Sequence, residues 1–263
     1  METAISDFSH YTSEMKKSLI DKIFFMDKLD DGIRAVLDFG CADGQLTGFL
    51  ADLFPDERFI GYDLSDEMVK LAGEHCKGKA NTAFFSDFDE ALGFLNGHGI
   101  TPAGTVINLS SLIHEVYSYG TEDSIREFWR RVNESGFGYI TIRDMCLDAS
   151  AHRPALKEDV LKVRRGYDAE RIKEFEKIHG SLSDNYNLIH FLMKYRYLQN
   201  WQRECRENYL PLTLDRLAGH LSKDYEIIYF DHYILPFLAS TVRKDFGIVL
   251  KDYTHVKFIL KKK

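Results

Sequence analysis

Apolar and polar positions change rhythm several times along the chain, and each change marks an element. Ile5, Phe8, Met15, Leu19, Ile23 and Met26 recur at roughly helical spacing, which predicts an N-terminal helix within 5–30. From residue 34 short apolar runs alternate with amphipathic stretches. RAVLDF (34–39), RFIGYD (58–63), TAFFSD (82–87), GTVINLS (104–110) and FGYITIRD (137–144) predict five buried strands. The stretches 45–54, 65–76, 88–97 and 124–135 predict helices between them, the first ended by Pro55 and the second capped by Ser65 or Asp66. Strands alternating with helices of this length imply right-handed crossovers and a parallel sheet.

The rhythm breaks after Asp144. Residues 157–166, 168–180 and 185–208 read as helices, too much chain for a simple crossover, and 151–208 is expected to be an inserted helical cap. A helix at 212–222, capped by Thr213, a sixth strand at 225–233 and a last strand at 254–260 follow. The predicted fold class is α/β: a doubly wound, mostly parallel seven-stranded sheet with an N-terminal helix and a helical insert. Residues 1–150 would form a ligand-binding core, 151–208 the cap, and 209–263 the last helix and strands completing the core.

Composition fits this picture: 44% of the 263 residues are hydrophobic and 29% charged, a globular balance. Cys41, Cys76, Cys146 and Cys205 are far apart and lack zinc-finger partners, so neither a disulfide framework nor a structural zinc site is expected. The start is polar and acidic, and no apolar run approaches the roughly 18 residues of a membrane span. The reading is a reduced, soluble, cytoplasmic protein without a membrane partner. The net charge of −7 divides unevenly: 1–150 holds 13 basic and 26 acidic residues, net −13, and 151–263 holds 21 and 15, net +6. The acidic total therefore does not speak against an anionic substrate meeting the second half.

Candidate chemistry begins at Val36-Leu37-Asp38-Phe39-Gly40-Cys41-Ala42-Asp43-Gly44, a buried strand running into a glycine turn that opens a helix. Glycine there allows positive φ and close approach to a ligand, at the strand end where doubly wound sheets bind one. A dinucleotide fingerprint fails, because its second and third glycine positions hold Ala42 and Gln45, and the Gly-Lys-Ser/Thr of a P-loop is absent. The pattern, an acid two residues before the first glycine and a second glycine four after it, resembles motif I of the class I S-adenosylmethionine-dependent methyltransferases, whose sheet is Rossmann-like.

The resemblance covers about residues 34–144 and the last two strands. It implies S-adenosylmethionine as cofactor, S-adenosylhomocysteine as product, and no metal. It implies a cofactor site at Asp38, Gly40, Cys41, Ala42, Gly44, Asp63, Leu64 and Leu109. Asp63 would accept both ribose hydroxyls, Asp87 would meet the adenine amino group, and Phe88 would lie beside the ring. Each acid taken alone also reads as a cap or a solvated turn residue; three at the ends of three consecutive strands favour a site.

Past the fourth strand, Asn108-Leu109-Ser110-Ser111-Leu112-Ile113-His114-Glu115 crowds polar residues at the expected active edge. His114 is the candidate general base, its alternative being a histidine satisfied within a helix start. Asp144 would orient it and Arg143 would pair an anionic acceptor group, unless the two form a plain surface pair. Ser111, Tyr117, Tyr119 and His152 are candidate acceptor contacts. The base-methylating signature Asn/Asp-Pro-Pro-Tyr/Phe is absent. The expected function is in-line methyl transfer to an oxygen or nitrogen of a small or medium anionic acceptor. RNA is the second acceptor, because Tyr186, Phe191, Tyr195, Tyr197 and Trp201 interleave with basic residues, although a cap packing its aromatic face on the sheet is the preferred reading of that pattern. A cofactor-binding scaffold or sensor without methyl transfer is the third reading. Oligomeric state is not legible.

Overall fold

The computed structural model describes residues 19–263. Ile5, Phe8 and Met15 of the expected N-terminal helix lie outside them. Within them a short helix α1 (Leu19–Lys22) is followed by a 3-10 turn, Met26–Lys28. The helix stops early as the chain tucks Phe25 completely into the core beneath β1.

The seven strands are β1 (Ala35–Phe39), β2 (Arg58–Tyr62), β3 (Thr82–Phe85), β4 (Thr105–Ser110), β5 (Tyr139–Met145), β6 (Tyr225–Tyr233) and β7 (His255–Lys262). They form one sheet in the order β3-β2-β1-β4-β5-β7-β6. The first five pair in parallel, and β7 runs antiparallel to both its neighbours. Every residue of β1 and β4 is buried, which is why these strands read as unbroken apolar runs rather than as alternation. The order reverses between β1 and β4, and the crevice at their carboxyl ends is where such sheets take ligands.

Flanking helices are α2 (Gln45–Leu53), α3 (Asp66–His75), α4 (Phe88–Gly97), α5 (Ile113–Tyr119) and α6 (Glu122–Glu134). Their starts follow the capping rule. Ser65, Asp87 and Thr121 accept from the backbone N–H groups of Met68, Glu90 and Ser124. The insert supplies α7 (Lys157–Gly166), α8 (Ala169–His179), α9 (Asn185–Lys194) and α10 (Trp201–Arg206), and α11 (Leu214–Gly219) returns the chain to β6.

Two features depart from the sequence pattern. The single helix expected over 185–208 is broken into α9 and α10. The buried Lys194 ends α9 and turns its ammonium onto the backbone carbonyls of Glu204 (2.6 Å) and Glu207, which folds α10 back. The connection between β6 and β7 contains another helix, α12 (Pro236–Phe246). Its Leu238, Val242 and Phe246 join Val163, Phe175, Phe191 and Trp201 of the insert in one apolar cluster separate from the sheet's own core. The cap is thus built from two stretches of chain far apart in sequence.

Phe191 sits at the centre of that cluster, with ring centroids 5.2–5.3 Å from Tyr167 and Phe175. Phe191→Ala is expected to cost about 3–5 kcal/mol, the usual range for an emptied aromatic core site. A urea melt checks this; an unchanged midpoint would show that the cap core does not support the folded state.

Candidate functional site

β1 ends in the glycine turn. Gly40 and Gly44 hold φ of 83° and 76°, the left-handed region that glycine enters without cost. Gly40 also gives Leu112 room, since a Cβ there would stand 2.6 Å from a Leu112 methyl. Ala42 is left-handed too (φ 48°), an uncommon conformation for a residue with a Cβ. Asp63, just past β2, holds it there: the Ala42 N–H donates to Asp63 Oδ2 (2.9 Å) and the Ser65 N–H to Oδ1 (3.0 Å). Each carboxylate oxygen keeps a second lone pair for a ligand. Burial raises the Asp63 carboxyl above its ordinary value, and the two backbone donors oppose that.

Asp38, Asn108 and Thr141 form a buried rung across β1, β4 and β5. Asn108 Nδ2 donates to Asp38 Oδ1 (2.9 Å), the Thr141 hydroxyl to Asn108 Oδ1 (2.9 Å), and Thr47 to Asp38 Oδ2 (2.9 Å). Burial raises Asp38 as well, with Asn108 and Thr47 acting against it.

A cavity of about 760 Å³ opens over these strand ends. Gly40, Cys41, Ala42, Asp63 and Leu64 line one side; Tyr197, Arg203, Glu204, Glu207, Tyr209 and Phe237 of the cap line the other. His114, Glu115 and Tyr119 of α5, with Ser110, Ser111 and Arg143, stand between. Cys41 is buried and burial drives its thiol well above its usual range, so it packs rather than reacts.

His114 is buried and bonded at both ring nitrogens. Nδ1 lies 2.8 Å from Asp144 Oδ1 on β5, and Nε2 lies 2.9 Å from Glu207 Oε1 of the cap. Burial opposes the charged ring, but the two carboxylates outweigh it and lift its pKa to about 10. The side chain is therefore an imidazolium with no nitrogen free to accept a proton. Asp144 Oδ2 also accepts the N–H groups of Leu112 (3.0 Å) and Ile113 (2.7 Å) at the start of α5. Burial would raise the Asp144 carboxyl, and the His114 cation beside it holds it below its ordinary value.

Glu207 further accepts from the Tyr119 hydroxyl (3.0 Å). Arg203 reaches Glu115 (3.2 Å), Glu204 and Glu207. Glu115 faces the cavity with its carboxyl pushed to about 7, by burial first and then by the Glu207 charge. Ligand atoms of His114, Glu115 and Glu207 lie within 4.8 Å of one another. The ring is already committed to Glu207 and the acids to Arg203, so this is an ion-pair network as it stands.

Several expected contacts lie elsewhere. Gly44 caps α2 and packs on Ala72, off the cavity wall. Leu109 is fully buried in the core. Asp87 caps α4, and Phe88 packs its ring against Phe39, Tyr62 and Phe137. Tyr117 pairs with His220 and Trp129, and the half-exposed His152 stacks on Tyr186; neither lines the cavity. Arg143 Nε donates to Asp21 Oδ2 (2.8 Å) and Nη1 to the Ser111 hydroxyl (2.9 Å), so its charge is taken within the chain. Tyr186, Phe191, Tyr195 and Trp201 are buried in the cap cluster. Lys22, Glu204 and Glu207 line the cavity without a local sequence signal, and Arg203, one of the basic residues interleaved with the cap's aromatics, lines it too. The charged run QRECREN reads as a solvated helix face, and only the break after Lys194 turns it inward.

Residues 36–136 match the family described as methyltransferase domain. Juvenile hormone acid O-methyltransferase of Bombyx mori is 45% identical over 51 residues, 19% of this chain; the match spans 18% of that protein's length. Among solved structures, the methyltransferase domain of bacterial CtHen1 (CtHen1-C) aligns with a TM-score of 0.51 at 12% identity, over 93% of this chain and 96% of that one. The plantazolicin methyltransferase BpumL in complex with S-adenosylhomocysteine aligns with a TM-score of 0.51 at 13% identity, over 94% and 82%. Identities this low speak for the fold. Residues 36–136 thus match a methyltransferase domain, and the fold is shared with methyltransferases, one of them holding S-adenosylhomocysteine, the spent form of S-adenosylmethionine. The site residues fit that cofactor. Asp63 has lone pairs for a ribose diol, the wall beside the glycine turn carries acid, and the buried Ser110 hydroxyl has no partner among the described residues. No helix among the described residues is long and apolar enough to cross a membrane.

Because the folded pKa of His114 lies above the ordinary 6.5, its charge stabilises the fold fully below pH 6.5. That contribution is lost as pH rises through about 10. Side-chain nitrogen NMR is expected to find the His114 ring doubly protonated at pH 8. A ring titrating near 6.5 would remove the two-carboxylate clamp.

Proposed function

We propose that this protein transfers a methyl group from S-adenosylmethionine to an oxygen or nitrogen of a small or medium-sized acceptor held beneath the helical cap. One observation carries the reading: a single cavity of about 760 Å³ is walled by the glycine turn and Asp63 on one side and by the cap on the other. Cofactor site and acceptor site are thus one enclosure, and its size suits a molecule of drug-like dimensions. Asp63, Gly40, Cys41 and Ala42 would hold the cofactor, with Asp38 behind them. When bound, it supplies an activated methyl on a sulfonium. The chain's task is then to orient the acceptor in line and keep water out.

His114 is better read as a positioning group than as a base, since both its nitrogens are taken by carboxylates. Glu115 is the better proton acceptor. It borders the cavity one residue further along α5, with a carboxyl that titrates near neutrality. An anionic acceptor is not specially favoured. Arg143 is paired with Asp21, Arg203 with Glu115 and Glu207, and Arg131 with Glu127. RNA is disfavoured because Tyr186, Phe191, Tyr195 and Trp201, four of the five aromatic residues that would stack bases, are packed inside the cap.

Asp63→Ala is expected to weaken S-adenosylhomocysteine binding about tenfold to a hundredfold by calorimetry, the loss of two charge-assisted hydrogen bonds. Unchanged affinity would sink the ribose assignment. Tritiated-methyl transfer to fractionated lysate separates an enzyme from a binding scaffold, which labels nothing. With an acceptor in hand, Glu115→Gln is expected to remove the acid limb of the kcat/KM profile near pH 7. An unshifted limb would acquit Glu115.

A further inference from the structure

We infer that Lys22 is the cation that receives the carboxylate at the methionyl end of the cofactor, an assignment that rests on the cofactor reading above. Among the described residues the cavity wall carries four lysine and arginine side chains: Lys22, Arg131, Arg143 and Arg203. The three arginines each have a carboxylate partner in the chain. Lys22 forms no ion pair among the described residues, although it is only 5% exposed. An ammonium held this far from water with no carboxylate in contact is unfavourable, and a carboxylate arriving in the cavity reduces that cost.

Position agrees with charge. The charged groups acting on Lys22 are Asp38 at the end of β1, Arg143 and Asp144 at the end of β5, and Glu115 in the first turn past β4. The sheet order β2-β1-β4-β5 therefore sets Lys22 on the opposite side of the glycine turn from Asp63. A cofactor whose ribose meets Asp63 and whose chain crosses the turn brings its amino-acid end to Lys22. That end is a zwitterion, and the neighbourhood is complementary to both charges. Asp38, on the cavity wall, is available to an ammonium. Lys22 is available to a carboxylate, with the unpartnered Ser110 hydroxyl on the same wall. Burial, with Arg143 next, lowers the Lys22 pKa to about 8, which leaves it largely charged at neutral pH.

Lys22 also ties cofactor binding to the N-terminal segment. It follows Asp21, whose carboxylate takes Arg143 (2.8 Å), the Tyr233 hydroxyl (2.6 Å) and Lys257, and so fixes α1 over β5, β6 and β7. The anchor that holds the backbone of residue 21 sets where the next side chain points.

The test is calorimetry at pH 7 with three probes: S-adenosylhomocysteine, its neutral carboxamide, and 5′-methylthioadenosine, which lacks the amino-acid end. Wild-type protein is expected to prefer the carboxylate over the carboxamide by about tenfold or more, the worth of a charge-assisted bond. Lys22→Met is expected to lose about tenfold for S-adenosylhomocysteine, to abolish the carboxylate preference, and to stay within about twofold for 5′-methylthioadenosine. Equal losses for all three probes, or no loss for S-adenosylhomocysteine, would overturn the assignment. So would equal wild-type affinity for carboxylate and carboxamide, a result that needs no variant to fold. Wild-type protein that binds none of the probes would instead overturn the cofactor reading itself.

Discussion

The His114 imidazolium, clamped between Asp144 of the sheet and Glu207 of the cap, is the interaction on which the site depends. A charge buried this deeply is tolerable only with its counter-charges and hydrogen bonds in place. Here those come from two different layers. The cap therefore cannot lift away while His114 stays charged without stranding an ion in low dielectric. Asp144 does two further things: it caps the start of α5 and so fixes where Glu115 and Tyr119 stand. Glu207 gathers Tyr119 and Arg203, and Arg203 gathers Glu115 and Glu204. The acceptor wall is one connected network hung from one ring.

The cap can offer Glu207 because of how it is built. Its aromatic residues pack inward with α12, so an apolar cluster independent of the sheet holds it together. Lys194 is fully buried, yet both its strong contacts are to backbone carbonyls of α10, and its ammonium sits 4.3 Å from the Tyr209 ring centroid. Its pKa falls to about 8, burial being the largest cause, with the Glu204 and Glu207 charges opposing. The lysine acts as a covalent-length spacer that bends the chain and turns three charged residues toward the cavity.

Net charge by segment proved a coarse guide to recognition. The second half is basic by count, which by itself leaves an anionic acceptor open. In the folded chain the arginines near the cavity are neutralised by acids from other segments: Asp21 for Arg143, Glu115 for Arg203. What a ligand feels is the charge left after such pairing. The remainder is Lys22, which has no carboxylate in contact among the described residues.

The strand runs, the glycine turn and Asp63 at the next strand's end were all legible in the chain, because burial on both faces and left-handed turns leave local marks in sequence. The sheet followed from them, and so did the edge on which the cavity opens. The places of Asp87, Phe88 and Tyr117 off the cavity wall were not legible, since a residue near the right strand end still has a choice between cap, core and cavity. Packing makes that choice, giving Asp87 to the helix start and Phe88 to the aromatic core. The partners of His114, the inward turn of Glu204 and Glu207, the helix between β6 and β7, and the unpaired state of Lys22 belong to the tertiary structure alone. Each depends on residues tens to hundreds of positions apart meeting in space, and no local pattern of polar and apolar residues encodes such a meeting.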